Sequence, residues 1–175
     1  MLKINTSLLL TTCCMSLMTS CLALSTPNFL NDNVTIGTDL GINRNDGQDK
    51  FIFGFHARMN YNPFVGFELG YTNFPDDEPA PGYNNWWALT SLVDLQAPFW
   101  LNTTGFIQVG VGLSNMDNPS GDYYSYIRPV VGGGLRYPIN QHIQATVKAQ
   151  YFEYAQSLGV GAHTYTLTGG LDYQF

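Results

Sequence analysis

Apolar and polar side chains alternate without a break over the last eleven residues of the chain. From Tyr165 to Phe175 every second residue is apolar, aromatic or glycine, and Thr, Gly, Asp and Gln occupy the positions between them. Successive side chains of a β-strand point to opposite faces, so a period of two indicates a strand with one apolar and one polar environment. We therefore predict a β-strand that continues to the last residue.

The same alternation, bounded by Gly, Pro, Asn and Asp, recurs in eight segments. They span residues 33–43, 50–61, 64–73, 86–97, 103–114, 126–137, 143–153 and 164–175. Their lengths are close to the ~9–11 residues that a tilted strand needs to cross a bilayer. Short connections alternate with longer ones, as in outer-membrane barrels. The pattern predicts an all-β fold, an eight-stranded antiparallel up-and-down transmembrane β-barrel, with both termini on the periplasmic side.

One face of each predicted strand lacks charged residues, and the opposite face carries them. A Lys or Arg that faces lipid at mid-membrane costs ~2–4 kcal/mol, so this segregation favours a lipid-facing exterior. A soluble lipocalin-like barrel would show the inverse pattern, with an apolar lumen and a polar exterior. The charged residues predicted to face the lumen are Asp39, Arg58, Glu68, Asp94, Arg128, Arg136, Lys148 and Asp172.

Aromatic residues gather near the predicted strand ends, where they are candidates for interfacial girdles. On the side of the short turns they are Tyr61, Phe64, Phe99, Trp100, Tyr137, Tyr173 and Phe175. On the side of the longer loops they are Tyr71, Phe74, Trp86, Trp87, Tyr123, Tyr124, Tyr151 and Tyr154. These two groups predict where the strands leave the bilayer.

Pro129 lies inside the sixth predicted strand. Proline has no N–H to donate to a ladder, and every strand of a closed barrel has two neighbours. Gly132, Gly133 and Gly134 follow shortly after it. We expect a β-bulge or a late strand start at Pro129, eased by these glycines.

The amino-terminal segment has the features of a secretory signal peptide. Lys3 supplies a basic start, and an apolar stretch begins at Leu8. Thr and Ser interrupt this stretch too often for the ~20 apolar residues of a membrane-spanning helix. We predict cleavage after Ser25, so that residues 1–25 are a cleaved signal peptide and residues 26–175 form one barrel domain.

All three cysteines, Cys13, Cys14 and Cys21, lie in this segment. Cleavage after Ser25 would leave a mature protein without thiols or disulfides. An alternative is open, because residues 18–21 loosely resemble a lipoprotein cleavage site in which Cys21 is the lipidated residue.

The composition agrees with a membrane barrel and argues against nucleic acid as a partner. Charged residues make up only 11% of the chain, against ~25% in typical soluble domains. The formal net charge is −6, whereas nucleic-acid binding requires a basic surface. The partners expected from this architecture are outer-membrane lipids and lipopolysaccharide.

The segment Asn62–Tyr71, with the sequence NPFVGFELGY, closely resembles the second turn and third strand of the OmpA-like transmembrane domain. Val109–Asn115 (VGVGLSN) and Leu171–Phe175 (LDYQF) are also similar to that superfamily. The resemblance implies an eight-stranded barrel in which Glu68 belongs to an internal salt-bridge network. Arg136, Lys148 and Asp94 lie in strands that resemble those supplying the other members of the network.

The resemblance also implies how the protein is assembled. In that superfamily a closing strand that ends on Phe is recognised by the barrel-assembly machinery, so Tyr173 and Phe175 are the expected assembly signal. The chain has no carboxyl-terminal peptidoglycan-binding domain in its sequence and therefore looks like the barrel-only members.

The lumen allows two interpretations. Four acids and four bases are predicted to face it, before His56 is counted. An eight-stranded barrel has room for little more than its own side chains, so a balanced set should pair into a structural plug. The alternative is a narrow or gated small-solute channel, in which rearranged pairs open a water path. The lining of one charge sign that selective pores use is missing.

The predicted loops are acidic, and Asp76, Asp77 and Glu78 are their densest point. This loop has the charge to attract a divalent ion or a basic host or envelope ligand. A solvated loop kept soluble by its charge is the alternative. No loop shows the spaced oxygen ligands of a dedicated calcium site, and we predict no metal site and no cofactor.

A lipid-modifying enzyme is the third interpretation, since some small outer-membrane barrels process lipid with a paired His and Ser. His56 is predicted in mid-strand and His142 in a short turn. Only His163 lies near the loop-side rim, and no recognisable motif pairs it with a Ser. We therefore predict no catalytic residues. The expected role is structural and surface-exposed, in envelope integrity, adhesion or partner binding through the loops.

Overall fold

The computed structural model describes residues 34–45, 48–75, 84–117, 123–153 and 163–175. These residues form eight strands: β1 (Val34–Asn45), β2 (Gln48–Asn62), β3 (Val65–Phe74), β4 (Asn84–Pro98), β5 (Thr104–Asp117), β6 (Tyr123–Pro138), β7 (Ile143–Glu153) and β8 (His163–Gln174). No helix in these ranges is long and apolar enough to cross a membrane. The predicted signal peptide lies outside the described residues.

Each strand pairs antiparallel with its neighbours in the sequence, and β1 also pairs with β8. The closing register runs from Thr35 opposite Gln174 to Arg44 opposite Tyr165. The last residue takes part, because the Phe175 N–H donates to the carbonyl of Val34 at 3.1 Å. The structure confirms the predicted closed eight-stranded barrel and the pairing of the last strand with the first.

Asparagine side chains build the short turns at one end of the barrel, which we call the turn end. The Asn62 Oδ1 accepts hydrogen bonds from the N–H groups of Phe64 and Val65, both at 2.8 Å. Asn140 makes the same pair of bonds in the turn before β7, again at 2.8 Å. Asn102, between β4 and β5, has a φ of 60°, a left-handed conformation that Asn tolerates better than most residues. This local turn chemistry explains why the sequence predicts the strand boundaries at the turn end within a residue or two.

The strands extend further at the opposite end, the loop end, than the alternation predicts. β2 begins at Gln48 rather than residue 50, β4 at Asn84 rather than 86, and β6 at Tyr123 rather than 126. Ladder hydrogen bonds join backbone groups and do not require an apolar side chain. Pairing therefore continues past the last alternating residue.

Pro129 causes neither a bulge nor a late strand start, so that prediction is wrong. β6 begins at Tyr123, and Pro129 lies opposite Val111 in a β5–β6 register without a shift. Pairing of β6 with β7 starts only at Val130. Pro129 thus has a paired neighbour on one side only, an edge-like position that proline tolerates.

The described strands place apolar side chains outside and polar side chains inside. Leu40, Ile107 and Leu171 are each more than half exposed on the outer surface. Asp94 and Gln108, in contrast, are fully buried inside the barrel. This arrangement is the inverse of a soluble protein and matches a barrel whose outer surface contacts lipid.

Candidate functional site

Two layers of side chains, accompanied by buried Thr, Asn and Gln residues, occupy the described lumen. The charged layer occupies the half nearer the turn end and consists of Asp39, His56, Arg58, Glu68, Asp94, Arg136, Lys148 and Asp172. The apolar layer lies towards the loop end and consists of Ile52, Phe74, Trp86, Ala88, Leu92, Val130 and Phe152. Alternate residues of each strand point inward, so both layers draw their members from several strands.

Lys148 joins two carboxylates across the lumen. Its Nζ lies 2.8 Å from Asp39 Oδ2 and 3.2 Å from Glu68 Oε1. The three side chains come from β7, β1 and β3 and are nearly fully buried. A buried charge without a partner is strongly destabilising, so this three-way pairing holds distant strands in one arrangement.

Arg136 forms a second cluster in the charged layer. Its Nη2 lies 2.5 Å from Asp94 Oδ2 and 3.7 Å from Glu68 Oε2. The Nη1 donates to Gln96 Oε1 at 3.2 Å, and the guanidinium carbon sits 3.6 Å above the ring of Phe106. The ring face attracts the cation, so Phe106 and the carboxylates fix the guanidinium together.

His56 lies between two carboxylates. Its Nδ1 is 2.9 Å from Asp39 Oδ2, and its Nε2 is 3.2 Å from Asp172 Oδ1. Of these two contacts, only that of Nδ1 has hydrogen-bond geometry, whereas Nε2 and Asp172 Oδ1 lie close together without a hydrogen bond. Two flanking carboxylates favour the positively charged imidazolium form of the ring. Gly37 makes room for this contact, because a Cβ there would collide with the His56 ring and Asp172 Oδ1.

Arg58 is the most loosely held cation of the charged layer. Its Nη1 lies 3.6 Å from Asp172 Oδ2, and its Nη2 donates to Thr35 Oγ1 at 3.4 Å. Within the described part of the chain, its Nε and Nη1 have no hydrogen-bond acceptor. The shorter of these two contacts, at 3.4 Å, is longer than the shortest contacts of Arg136 and Lys148, at 2.5 and 2.8 Å.

The structure brings seven of the eight predicted lumen charges together and leaves Arg128 apart. Arg128 is half-buried on β6, two residues from Val130 of the apolar layer, and forms no ion pair with any described residue. His56 joins the cluster instead. Its spacing of two residues from Arg58 indicates an inward side chain, but no sequence pattern indicates its two carboxylate partners.

The apolar layer is built around three aromatic rings. Phe74 and Trp86 stack with centroids 3.4 Å apart and planes 9° from parallel, and Phe152 meets both edge-on. The prediction that Phe74 and Trp86 belong to the interfacial girdle is wrong, since both are essentially unexposed. Strand periodicity could have shown this, because an even spacing places Phe74 on the face of Glu68 and Trp86 on that of Asp94.

The predicted assembly residues, Tyr173 and Phe175, point outward at the turn end and are about half exposed. Their rings meet edge-on at 5.1 Å, and Tyr173 also stacks on His142 at 5.8 Å. The acidic residues Asp76, Asp77 and Glu78 lie outside the described residues, as do Tyr154 and the side chains of Tyr123, Tyr124 and His163.

The two histidines whose side chains are described have structural contacts. His56 is held by carboxylates, and His142 Nδ1 lies 3.2 Å from the carbonyl oxygen of Gln174 in an exposed turn. Across the described ranges, no group of three or more His, Cys, Asp or Glu residues is arranged to hold a metal ion.

No family model matches this sequence, and no curated protein matches it. Several solved structures, in contrast, superpose on this chain. Neisserial surface protein A superposes with a TM-score of 0.62 at 12% identity, covering 83% of this chain and 97% of that one. The N-terminal β-barrel domain of OprF from Pseudomonas aeruginosa gives 0.62 at 12% identity, covering 81% and 97%.

Ail, the attachment invasion locus protein of Yersinia pestis, gives a TM-score of 0.55 at 14% identity, covering 82% of this chain and 97% of its own. At such low sequence identities, the superpositions show only that the folds are similar. They agree with the closed eight-stranded barrel described above. The resemblance noted in the sequence is confirmed at this level: the chain has the fold of the small eight-stranded outer-membrane β-barrels.

Proposed function

We propose that this chain resides in a bacterial outer membrane as a structural and surface-interaction protein. It would contribute to envelope integrity, adhesion or partner binding through its acidic loops. The continuous apolar exterior of the described strands supports contact with outer-membrane lipids and lipopolysaccharide. In this proposal both termini face the periplasm, and the barrel-assembly machinery recognises the ending on Tyr173 and Phe175.

The surface role rests on two observations. The predicted loops are acidic, with Asp76, Asp77 and Glu78 adjacent in the sequence. A protein of the same fold, Ail, is described as an attachment invasion locus protein. Eight-stranded barrels commonly carry longer loops at one end, which is where such binding would occur.

The filled lumen carries the structural part of the proposal. Water crossing the barrel would have to separate the ion pairs around Lys148 and Arg136. It would then have to pass the stacked rings of Phe74 and Trp86. An eight-stranded barrel has little interior beyond its own side chains, so we favour a closed barrel over the gated small-solute channel. A lipid-modifying activity, the third candidate, has no support from His56 or His142 and would depend on His163.

Conductance in planar lipid bilayers tests the closed barrel. We expect the purified full chain to show no sustained discrete openings at neutral pH, because both layers block the axis. Incorporation of the protein should be verified in the same membranes by immunodetection. An absence of openings then reflects a closed barrel rather than a membrane without protein.

Sustained openings of uniform size would contradict the closed barrel. In that case Glu68→Ala, which removes a partner of both Lys148 and Arg136, should change the gating. Asp49→Asn is the matched control, since Asp49 pairs with Arg44 on an exposed strand end. Openings that respond to Glu68→Ala and not to the control would establish the channel.

A further inference from the structure

A cavity of about 230 Å³ lies at the turn end of the barrel, between the charged layer and the turns. Its wall includes Arg58 and Arg136 together with the side chains of Asn60, Gln96 and Gln174. A water molecule occupies ~30 Å³ in the liquid, so the cavity has the volume of several waters or of one small anion with part of its hydration.

The cavity wall is cationic. Arg58 and Arg136 both line it, and none of the described residues in its wall is an Asp or a Glu. The acids that pair with them, Asp172 and Asp94, belong to the charged layer and are not part of the wall. A lining of one sign favours an ion of the opposite sign.

Arg58 also has N–H groups that can donate hydrogen bonds to a ligand. Its side chain is only 2% exposed, and its Nε and Nη1 have no hydrogen-bond acceptor among the described residues. The Nε of Arg136 is likewise without an acceptor in the described part of the chain. Leaving a buried donor unsatisfied is destabilising, and an oxyanion supplies acceptors that fit the planar guanidinium fork.

We propose that the turn-end cavity is a binding site for a small oxyanion, a phosphate or carboxylate group, with Arg58 as its main ligand and Arg136 as the second. The amide side chains of Asn60, Gln96 and Gln174 add neutral polar groups around it. The site is independent of the loops and of the surface role. The same chemistry is offered by a free anion and by the headgroup of an anionic lipid at the membrane surface.

NMR of the arginine side chains tests the site directly. The full chain, labelled with ¹⁵N-arginine, is placed in nanodiscs of phosphatidylcholine and titrated with inorganic phosphate at constant ionic strength. We expect saturable shifts of the Arg58 and Arg136 Nε–H resonances. Arg44, which is exposed at the loop end and paired with Asp49, should show no saturable shift.

Variants separate a site from general screening. Arg58→Gln should weaken the apparent phosphate affinity, followed at Arg136, by about tenfold or more, the loss of ~1.4 kcal/mol expected for a charge-assisted contact. Arg58→Lys keeps the charge but not the fork and serves as the second variant if Arg58→Gln fails to fold. Arg44→Gln removes the same charge at the other end and should leave the affinity within about twofold, ~0.4 kcal/mol.

A second arm identifies the source of the oxyanion. Nanodiscs containing phosphatidylglycerol, without phosphate, should reproduce the Arg58 shift if the lipid headgroup reaches the cavity. If the shift needs added phosphate, the ligand is a free anion, and either result supports the site. No saturable shift in both arms, or an equal shift at Arg44, would overturn the proposal.

Discussion

Lys148 shows how a single residue organises the charged layer. Its ammonium is within 3.2 Å of carboxylates on two other strands, so it links strands that are not neighbours in the barrel. His56, on β2, contacts Asp39 on the adjacent strand β1 and Asp172 on β8, which lies on the far side of β1. With His56 as an imidazolium, the layer has four carboxylates, three permanent cations and this fourth positive group.

Replacing Lys148 with Met should destabilise the barrel by about 3–5 kcal/mol, because Asp39 and Glu68 would keep their buried charges without their shared partner. Urea-dependent unfolding in lipid vesicles, followed by tryptophan fluorescence, measures this change. Lys148→Arg keeps a positive charge and should cost less than Lys148→Met.

Arg44→Gln is the matched control. Arg44 also forms a close ion pair, at 2.8 Å, but its side chain is 65% exposed, so its replacement should leave the unfolding free energy nearly unchanged. If Lys148→Met cost no more than this control, the ion pairs in the lumen would not be a major source of stability.

At the level of elements, the loop end of the β3–β4 pair contributes aromatic side chains to the interior of the barrel. Phe74 and Trp86 are direct partners in this pair, and their stacked rings turn inward. Phe152 reaches them from β7. The apolar layer therefore ties this pair to a distant strand through side chains rather than through backbone hydrogen bonds.

A double-mutant cycle measures the coupling energy between Trp86 and Phe152. Trp86→Ala and Phe152→Ala should each lower the unfolding free energy by about 3–5 kcal/mol, as large-to-small changes do in a packed core. Because the rings touch, the two losses should fail to add, with a coupling of about 0.5–3 kcal/mol. The same urea unfolding assay gives all four values of the cycle.

Trp100 and Phe152 form the comparison cycle. Trp100 is 75% exposed outside the turn end, so its replacement by Ala should add to that of Phe152 within about 0.5 kcal/mol. Additive losses for Trp86 and Phe152 as well would show that the rings do not stabilise the barrel as one layer.

For the whole molecule, up-and-down pairing places the two longest connections, 75–83 and 154–162, at the same end, and the connections 63–64, 99–103 and 139–142 at the other. The β1–β2 connection, 46–47, is short although it lies at the loop end. The two ends therefore face different compartments once the barrel spans a membrane. In the proposed orientation the loop with Asp76, Asp77 and Glu78 faces the cell exterior, and the turn-end cavity faces the periplasm.

Neutralising that loop tests the surface role. Cells that carry Asp76→Asn, Asp77→Asn and Glu78→Gln together should adhere to host cells or matrix less than cells with the unchanged chain. The physical reason is the loss of three adjacent negative charges that would attract a basic ligand. Adhesion assays at matched surface expression measure the difference.

Cysteine labelling provides the control for orientation. With a membrane-impermeant maleimide, Ala80→Cys in the loop should be labelled in intact cells, whereas Gln141→Cys in a turn should be labelled only after permeabilisation. Labelling of Gln141→Cys in intact cells would reverse the orientation. Unchanged adhesion of the neutralised variant would exclude this loop as the ligand site.

The eight strands, the closing strand and the two faces of the barrel wall can all be predicted from the sequence. These features depend on local rules: a period of two along each strand, and turn residues such as Asn62 and Asn140 at its ends. The cost of a charge in lipid removes charged residues from one face. That cost applies to each lipid-facing residue separately. The absence of charge from one strand face can therefore be recognised in the sequence without knowing which residues pair.

The contacts between inward side chains, in contrast, depend on the tertiary structure and cannot be predicted from the sequence pattern. His56 touches Asp39 and Asp172 because barrel closure brings β8 beside β1, and Arg128 misses the charged layer because it lies nearer the loop end. The stack of Phe74 on Trp86 and the cationic cavity at Arg58 also depend on height along the barrel axis. Strand register and stagger set that height, and the alternation of a single strand does not contain them.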